Sequence, residues 1–206
     1  MENPHMENPR VENAEVLLIG GRSGVGKTSV GLEVAARLRA ADIGHALIEG
    51  DLLDLVHPAP RDDPDRSRIT ERNLAALWAN YTELGCRRLV YTNTASVLGS
   101  EERLFTRALD GPRIIRVLLT ATDATVEQRL TAREQGSELE QQLRRSEFMA
   151  RHLSAHTPPD AHRIATDGRD VRDIAARVVA ATGWATGSTP RGTCDEGHTM
   201  GGFPPG

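Results

Sequence analysis

The sequence predicts a doubly wound α/β domain, a five-stranded parallel sheet between two helical layers in an αβα sandwich. Three observations carry this. Short apolar runs alternate with segments of helical period along most of the chain, the order expected of βα units. The first run, Val16-Leu17-Leu18-Ile19, opens into glycines and then a helix. The segment 21–28 reads G-R-S-G-V-G-K-T, which fits G-x-x-x-x-G-K-[ST] at each fixed position.

The first strand is expected over about 15–19. The loop after it comprises Gly21, Arg22, Ser23, Gly24, Val25, Gly26, Lys27, Thr28 and Ser29. Glycines allow positive φ, so backbone N–H groups can turn inward around an anion. In such a phosphate-binding loop Lys27 reaches the β- and γ-phosphates, and the Thr28 hydroxyl is placed to hold Mg²⁺. The following helix, to about residue 40, points its positive dipole end at the same phosphates. Val30, Val34 and Leu38 share one face of it.

Asp42 and Gly44 break that helix, and HALIE at 45–49 reads as a second strand ending in Glu49-Gly50-Asp51. Strand, helix, strand makes a right-handed βαβ unit with parallel strands. Ligands in open α/β sheets lie outside the carboxyl ends of the strands. Asp51 is therefore expected on the same rim as the loop, either in that chemistry or as the N-cap of a short helix. Asp54 is expected in solvent, and Glu49 either as an auxiliary ligand or facing solvent.

Residues 52–65, with Pro58, Pro60 and Pro64, read as an irregular surface segment or a short helix. A helix follows over 68–84, with Leu74, Leu77, Trp78 and Tyr81 on one face. RLVYT at 88–92 is the third strand, trailed by Asn93 and Thr94. Ser100 is a plausible N-cap for a helix over 101–109. IIRVLLT at 114–120 is the fourth strand. Asp123 is expected to cap a helix to about residue 134, and a capping box at 137–140 starts another to about 156. A short fifth strand over 163–166, a turn at Asp167, Gly168 and Arg169, and a last helix capped by Asp170 complete the domain, taken as 14–184. Residues 1–13 and 185–206 are expected to be a disordered leader and tail.

Composition narrows the functional classes. The net charge of −4 is spread along the chain, with no basic stripe of the kind that nucleic acid requires. No apolar run approaches a membrane span, and the polar N-terminus lacks a secretory core. Cys86 and Cys194 are far apart and form neither a disulfide framework nor a metal spacing. A cytoplasmic enzyme, monomer or homodimer, with a small-molecule acceptor and without nucleic acid or membrane partners, is the expectation. His57, His152, His156 and His162 have no paired nucleophile and are expected at the surface.

The order GRSGVGKT, EGD after the second strand, an apolar fourth strand, then RLTARE and TDGRD resembles the small P-loop kinases. This P-loop NTPase group includes nucleoside monophosphate kinases, shikimate and gluconate kinases, adenylylsulfate kinase and chloramphenicol phosphotransferase. The resemblance spans about 15–184. It implies strand order 2-3-1-4-5, ATP with Mg²⁺, and phosphoryl transfer to a small acceptor. It also implies that Asp51 binds the acceptor hydroxyl, acts as base, or helps hold Mg²⁺.

Arg129 and Arg133 lie i, i+4 on one helix face. The R-x-x-x-R of adenylate-kinase-like proteins would set Arg129 against the adenine and Arg133 on phosphate, with a lid over 134–145 and Arg144 and Arg145 as further candidates. The alternative is surface arginines paired with Glu127 and Glu134. Asp167, Gly168 and Arg169 sit where that family contacts adenine, or form a plain turn. The third strand ends without the Asp that motor and switch ATPases use for Mg²⁺. A small-molecule kinase fits best, with a nucleoside monophosphate kinase or a regulatory nucleotide-binding ATPase as rivals.

Overall fold

A computed structural model of the chain describes residues 14–132 and 137–184. The expected leader, tail, Cys194, Arg133 and the first part of the expected lid lie outside the described residues. Five parallel strands form one sheet: β1 (Glu15–Gly20), β2 (Ala46–Glu49), β3 (Arg88–Thr92), β4 (Arg113–Thr120) and β5 (His162–Ala165). Their order is β2-β3-β1-β4-β5, as the resemblance implied. Among the described residues six α-helices accompany them: α1 (Lys27–Ala40), α2 (Ser67–Glu83), α3 (Glu102–Ala108), α4 (Asp123–Thr131), α5 (Ser137–His156) and α6 (Val171–Thr182).

The period of the strands sorts the core into two layers. Leu17 and Ile19 of β1 join Val117 and Leu119 of β4 under α1 and α6, against Val30, Val34, Leu38, Ile174 and Val178. Val16 and Leu18 face the other way, onto Leu74 and Trp78 of α2 and Phe105 of α3. Both faces are covered, which is why the central strands read as continuous apolar runs. Each fully buried Leu or Val stabilises by about 1.5–3 kcal/mol relative to exposure. No helix among the described residues is long and apolar enough to cross a membrane.

Two expected caps are corrected. Thr122, not Asp123, is the N-cap of α4: its backbone is extended and its hydroxyl accepts from the Thr125 N–H at 3.4 Å. Asp123 becomes the first helical residue, where a carboxylate suits the dipole. Ser100 does not cap α3, because a 3₁₀ turn over Gly99–Glu101 precedes that helix and Ser100 leans on the Glu101 carboxylate instead. The expected short helix after β2 is only a 3₁₀ turn, Gly50–Leu52.

Beyond it, the buried Asp63 fixes the start of α2 by accepting the N–H groups of Arg68 (3.1 Å) and Ile69 (3.0 Å). Burial pushes its carboxyl up, but those N–H bonds prevail and hold it below the ordinary value. Arg116 is buried on β4 and binds Glu102 of α3 at 2.7 Å, with Asp160 at 3.8 Å, so it anchors α3 to the sheet.

Candidate active site

β1 delivers the loop 21–28 to the carboxyl edge of the sheet, and α1 begins at Lys27. Gly24 has φ +85°, and a Cβ on it would lie 2.9 Å from Val126 Cγ1, so both conformation and space demand glycine. Gly26 caps α1 with φ +94°, and a Cβ there would meet no protein atom within 4 Å. Its glycine serves the backbone conformation rather than packing.

The loop's carbonyls are gripped from outside. Ser146 of α5, itself buried, donates to Ser23 O at 3.0 Å. Arg129 of α4 donates to Gly24 O (3.2 Å) and Val25 O (3.3 Å), and also to Thr166 Oγ1 (3.0 Å) and Thr166 O (3.1 Å). A trans peptide plane sets each N–H opposite the preceding C=O. Holding the Ser23 and Val25 carbonyls outward therefore turns the Gly24 and Gly26 amides into the loop, the geometry an anion needs. Lys27 is buried, with Nζ 3.5 Å from Arg22 O.

The Arg22 side chain is also buried and leaves the loop, binding Asp123 (2.6 Å) and Ala121 O (2.8 Å) at the β4–α4 junction. Its share in an anion cradle is thus its backbone alone. Thr28 and Ser29 are exposed.

On the neighbouring strand ends, Thr28 Oγ1 donates to Glu49 Oε1 at 2.9 Å. Asn93 Nδ2 donates to Asp51 Oδ1 at 2.6 Å, while Asn93 Oδ1 accepts the Ala95 N–H at 2.9 Å and fixes the amide's orientation. β2 pairs with β3 in register Glu49↔Thr92, which brings Asp51 and Asn93 together. The rim where a motor ATPase would carry an Asp holds an amide that grips a carboxylate from the next strand. Glu49 is a functional candidate that the sequence left undecided. Its bond to Thr28 spans 21 residues, and only the β1–β3–β2 order reveals it. No cluster of three or more His, Cys, Asp or Glu side chains among the described residues is placed to hold a metal by protein ligands alone.

Opposite, the turn after β5 sits close to α4. Asp167 Oδ1 accepts the Thr122 N–H (2.9 Å) and the Thr122 hydroxyl (2.8 Å). Its carboxyl is pulled down to about 2, chiefly by the Thr125 hydroxyl and then by the two Thr122 donors. Gly168 and Arg169 are exposed beside it. Arg129 is half-buried against the loop rather than paired with Glu127 at the surface. Arg144 is exposed and pairs with Glu140 at 3.5 Å, and Arg145 is exposed. From α5, Ser146 reaches the loop.

A cleft of about 560 Å³ opens between the carboxyl ends of β2 and β3 and helices α2 and α3, lined in part by Asp54, Tyr91, Asn93, Ser96, Glu101 and Phe105. Asp54, expected in solvent, is half-buried in this wall.

Neither a protein-family model nor a curated protein matches the chain. Solved structures do. The tunicamycin resistance protein of Deinococcus radiodurans is 21% identical, with 83% of this chain and 96% of that one covered and a TM-score of 0.56. The APS kinase of Mycobacterium tuberculosis, in complex with AMPPNP and APS, is 22% identical over 82% of this chain and 98% of its own, TM-score 0.54. A gluconokinase of Sinorhizobium meliloti is 18% identical over 81% and 90%, TM-score 0.53. The fold is that of the small P-loop kinases. Identities this low carry the architecture alone.

Proposed function

We propose that the chain is an ATP-dependent phosphotransferase that moves the γ-phosphoryl group of ATP to a hydroxyl of a small molecule. The observation that carries this is the pair of contacts at one rim: Thr28 on Glu49, and Asp51 held by Asn93, both beside the phosphate-binding loop. A module that only binds nucleotide has no need of a carboxylate aimed at an acceptor. The fold neighbours include kinases named for acceptors as different as gluconate and APS, so the acceptor is a property of this chain's own cleft.

In this reading the 21–28 amides and Lys27 bind the phosphates and orient the γ-phosphorus. Asp51 takes the proton of the acceptor hydroxyl. The acceptor oxygen then bonds to the γ-phosphorus, the bond from that phosphorus to the bridging oxygen breaks, and ADP leaves. Asn93 keeps the Asp51 carboxylate in one orientation.

Thr28 Oγ1, Glu49 and Asp51 are hard oxygen donors, few in number, which suits an ion that keeps waters and phosphate oxygens in its shell. Mg²⁺ bound there would neutralise charge on the transferring phosphoryl group. The turn at Asp167–Arg169 is proposed for the adenine, Arg129 for bracing the loop beside it, and Arg133, which lies outside the described residues, for the phosphate. We take the site to work in the cytoplasm, where ATP is supplied.

The test is direct. Full-length protein, γ-labelled ATP with Mg²⁺ and a small-molecule extract of the source cells should give label in an organic product, with Lys27→Ala as the inactive control. Release of label only as inorganic phosphate would contradict the proposal and favour a regulatory ATPase.

A further inference from the structure

The acceptor cleft has an acidic inner wall built around an unusual tyrosine. Tyr91 on β3 is only 2% exposed, and its ring packs edge-on against Phe105 with centroids 5.0 Å apart. Its hydroxyl makes no hydrogen bond among the described residues, and Tyr91 lines the cleft. A Cβ placed on Gly50 would fall 2.2 Å from that hydroxyl, so glycine at 50 leaves room for it. The ring is buried, but the hydroxyl is not among the buried side-chain atoms left without a partner: it is open to solvent, and a ligand that displaces water from it must replace that hydrogen bond. Tyr91 lines the cleft, so a partner for the hydroxyl can come from there.

The charges around this phenol are negative. Asp54, beyond the turn after β2, and Glu101, on the turn before α3, both line the cleft. Neither forms an ion pair with a cationic side chain among the described residues; Glu101 accepts only a long bond from Ser100 at 3.5 Å. Burial, then the charges of Asp51, Asp54 and Glu101, keep Tyr91 protonated well above neutral pH.

Three arginines also line the cleft, and they are exposed. Arg68 is bound to Asp62 at 2.7 Å and Arg107 lies 3.8 Å from Glu71, so both already face a carboxylate. Arg103 has no ion pair among the described residues, but neither do Asp54, Asp65 and Glu101, so the charge left to meet a ligand is net negative.

We infer that the acceptor is an amine-bearing alcohol of net positive charge, whose ammonium group is held by Asp54 and Glu101 and whose oxygens meet the Tyr91 hydroxyl. This inference rests on the phosphotransferase reading and adds the substrate class. An ammonium group supplies donors for the two carboxylates, and the protonated phenol can donate to an oxygen of the acceptor. A carboxylate-bearing acceptor would meet like charge on the same wall and be rejected.

The experiment divides the small-molecule extract at pH 7 into cation-retained, anion-retained and unretained fractions, each assayed with γ-labelled ATP and the full-length protein. Acceptor activity is expected in the cation-retained fraction and is expected to vanish after aqueous N-acetylation of that fraction. Asp54→Asn and Glu101→Gln should each raise the half-saturating amount of that fraction about tenfold, as loss of a charge-assisted hydrogen bond does. Unchanged melting temperatures and unchanged KM for ATP would show that fold and donor site are intact. Acceptor activity in the anion-retained or unretained fraction would overturn the amine assignment and leave the phosphotransferase reading standing. No labelled organic product from any fraction would overturn both.

Discussion

Arg129→Met removes the grip of α4 on the phosphate loop while keeping the length of the side chain. The guanidinium reaches four acceptors at 3.0–3.3 Å, three of them shared by one nitrogen. That sharing makes the set worth about two charge-assisted bonds, near the low end of 1.5–3 kcal/mol each, so a loss of about 3 kcal/mol of stability is expected. The consequence for nucleotide is separate. Without the arginine the peptides at Gly24–Val25 and Val25–Gly26 are free to turn, and the ligand must order them. Ordering one residue's backbone costs about 1–2 kcal/mol.

At about 2 kcal/mol the affinity for ATP falls roughly 30-fold. Titration calorimetry with Mg·ATP and with inorganic triphosphate separates this from a contact with adenine. A brace on the loop predicts equal losses for both ligands. A loss confined to ATP, or wild-type affinity in the variant, would refute the brace. Arg129→Lys is not expected to rescue, because one ammonium cannot span acceptors fixed on the loop and on Thr166 just after β5.

Three further outcomes are expected. Ser146→Ala frees only the Ser23 carbonyl, so nucleotide affinity should fall about fivefold by the same titration, for roughly 1 kcal/mol of lost hydrogen bonding. Asp167→Asn should flatten the acid limb of stability. The wild-type carboxyl sits at about 2, below its unfolded value, so its contribution is complete above about pH 4 and is lost as pH falls toward 2. Urea melts of both proteins across that window check this, and parallel acid limbs would contradict it. Gly50→Ala forces a Cβ within 2.2 Å of the Tyr91 hydroxyl and 2.4 Å of its Cζ, so ring or backbone must move. Denaturant unfolding should show a loss of about 1–3 kcal/mol, and an unchanged midpoint would mean that the β2 end yields freely.

Local features were legible in the sequence and long-range ones were not. The phosphate loop is nine consecutive residues whose glycines have a conformational reason to be there. The strands were visible because burial on both faces makes them apolar throughout. Thr122 and Asp123 are both good caps, and sequence alone does not decide between adjacent ones; the decision came from the extended backbone at Thr122 and its bond to the Thr125 N–H. Asp63 looked like one of several surface acids, yet it is buried at the start of α2. Arg116 sits inside an apolar strand pattern, and its partner Glu102 comes from a separate helix.

The grips on the loop join residues more than 100 positions apart, Arg129 to Gly24 and Ser146 to Ser23. Nothing in local spacing marks them. The family pattern pointed to Arg129 as a nucleotide residue but not to its hold on the loop's carbonyls.

The central claim is that one rim holds both a phosphate donor and a proton acceptor for a hydroxyl. The rate of γ-phosphoryl transfer by Asp51→Asn at saturating ATP tests it most directly. The amide oxygen of the variant can still accept from Asn93, so the geometry is kept and only the proton acceptor is lost. The rate should fall about 100-fold or more with nucleotide affinity unchanged; transfer at the wild-type rate would contradict the claim.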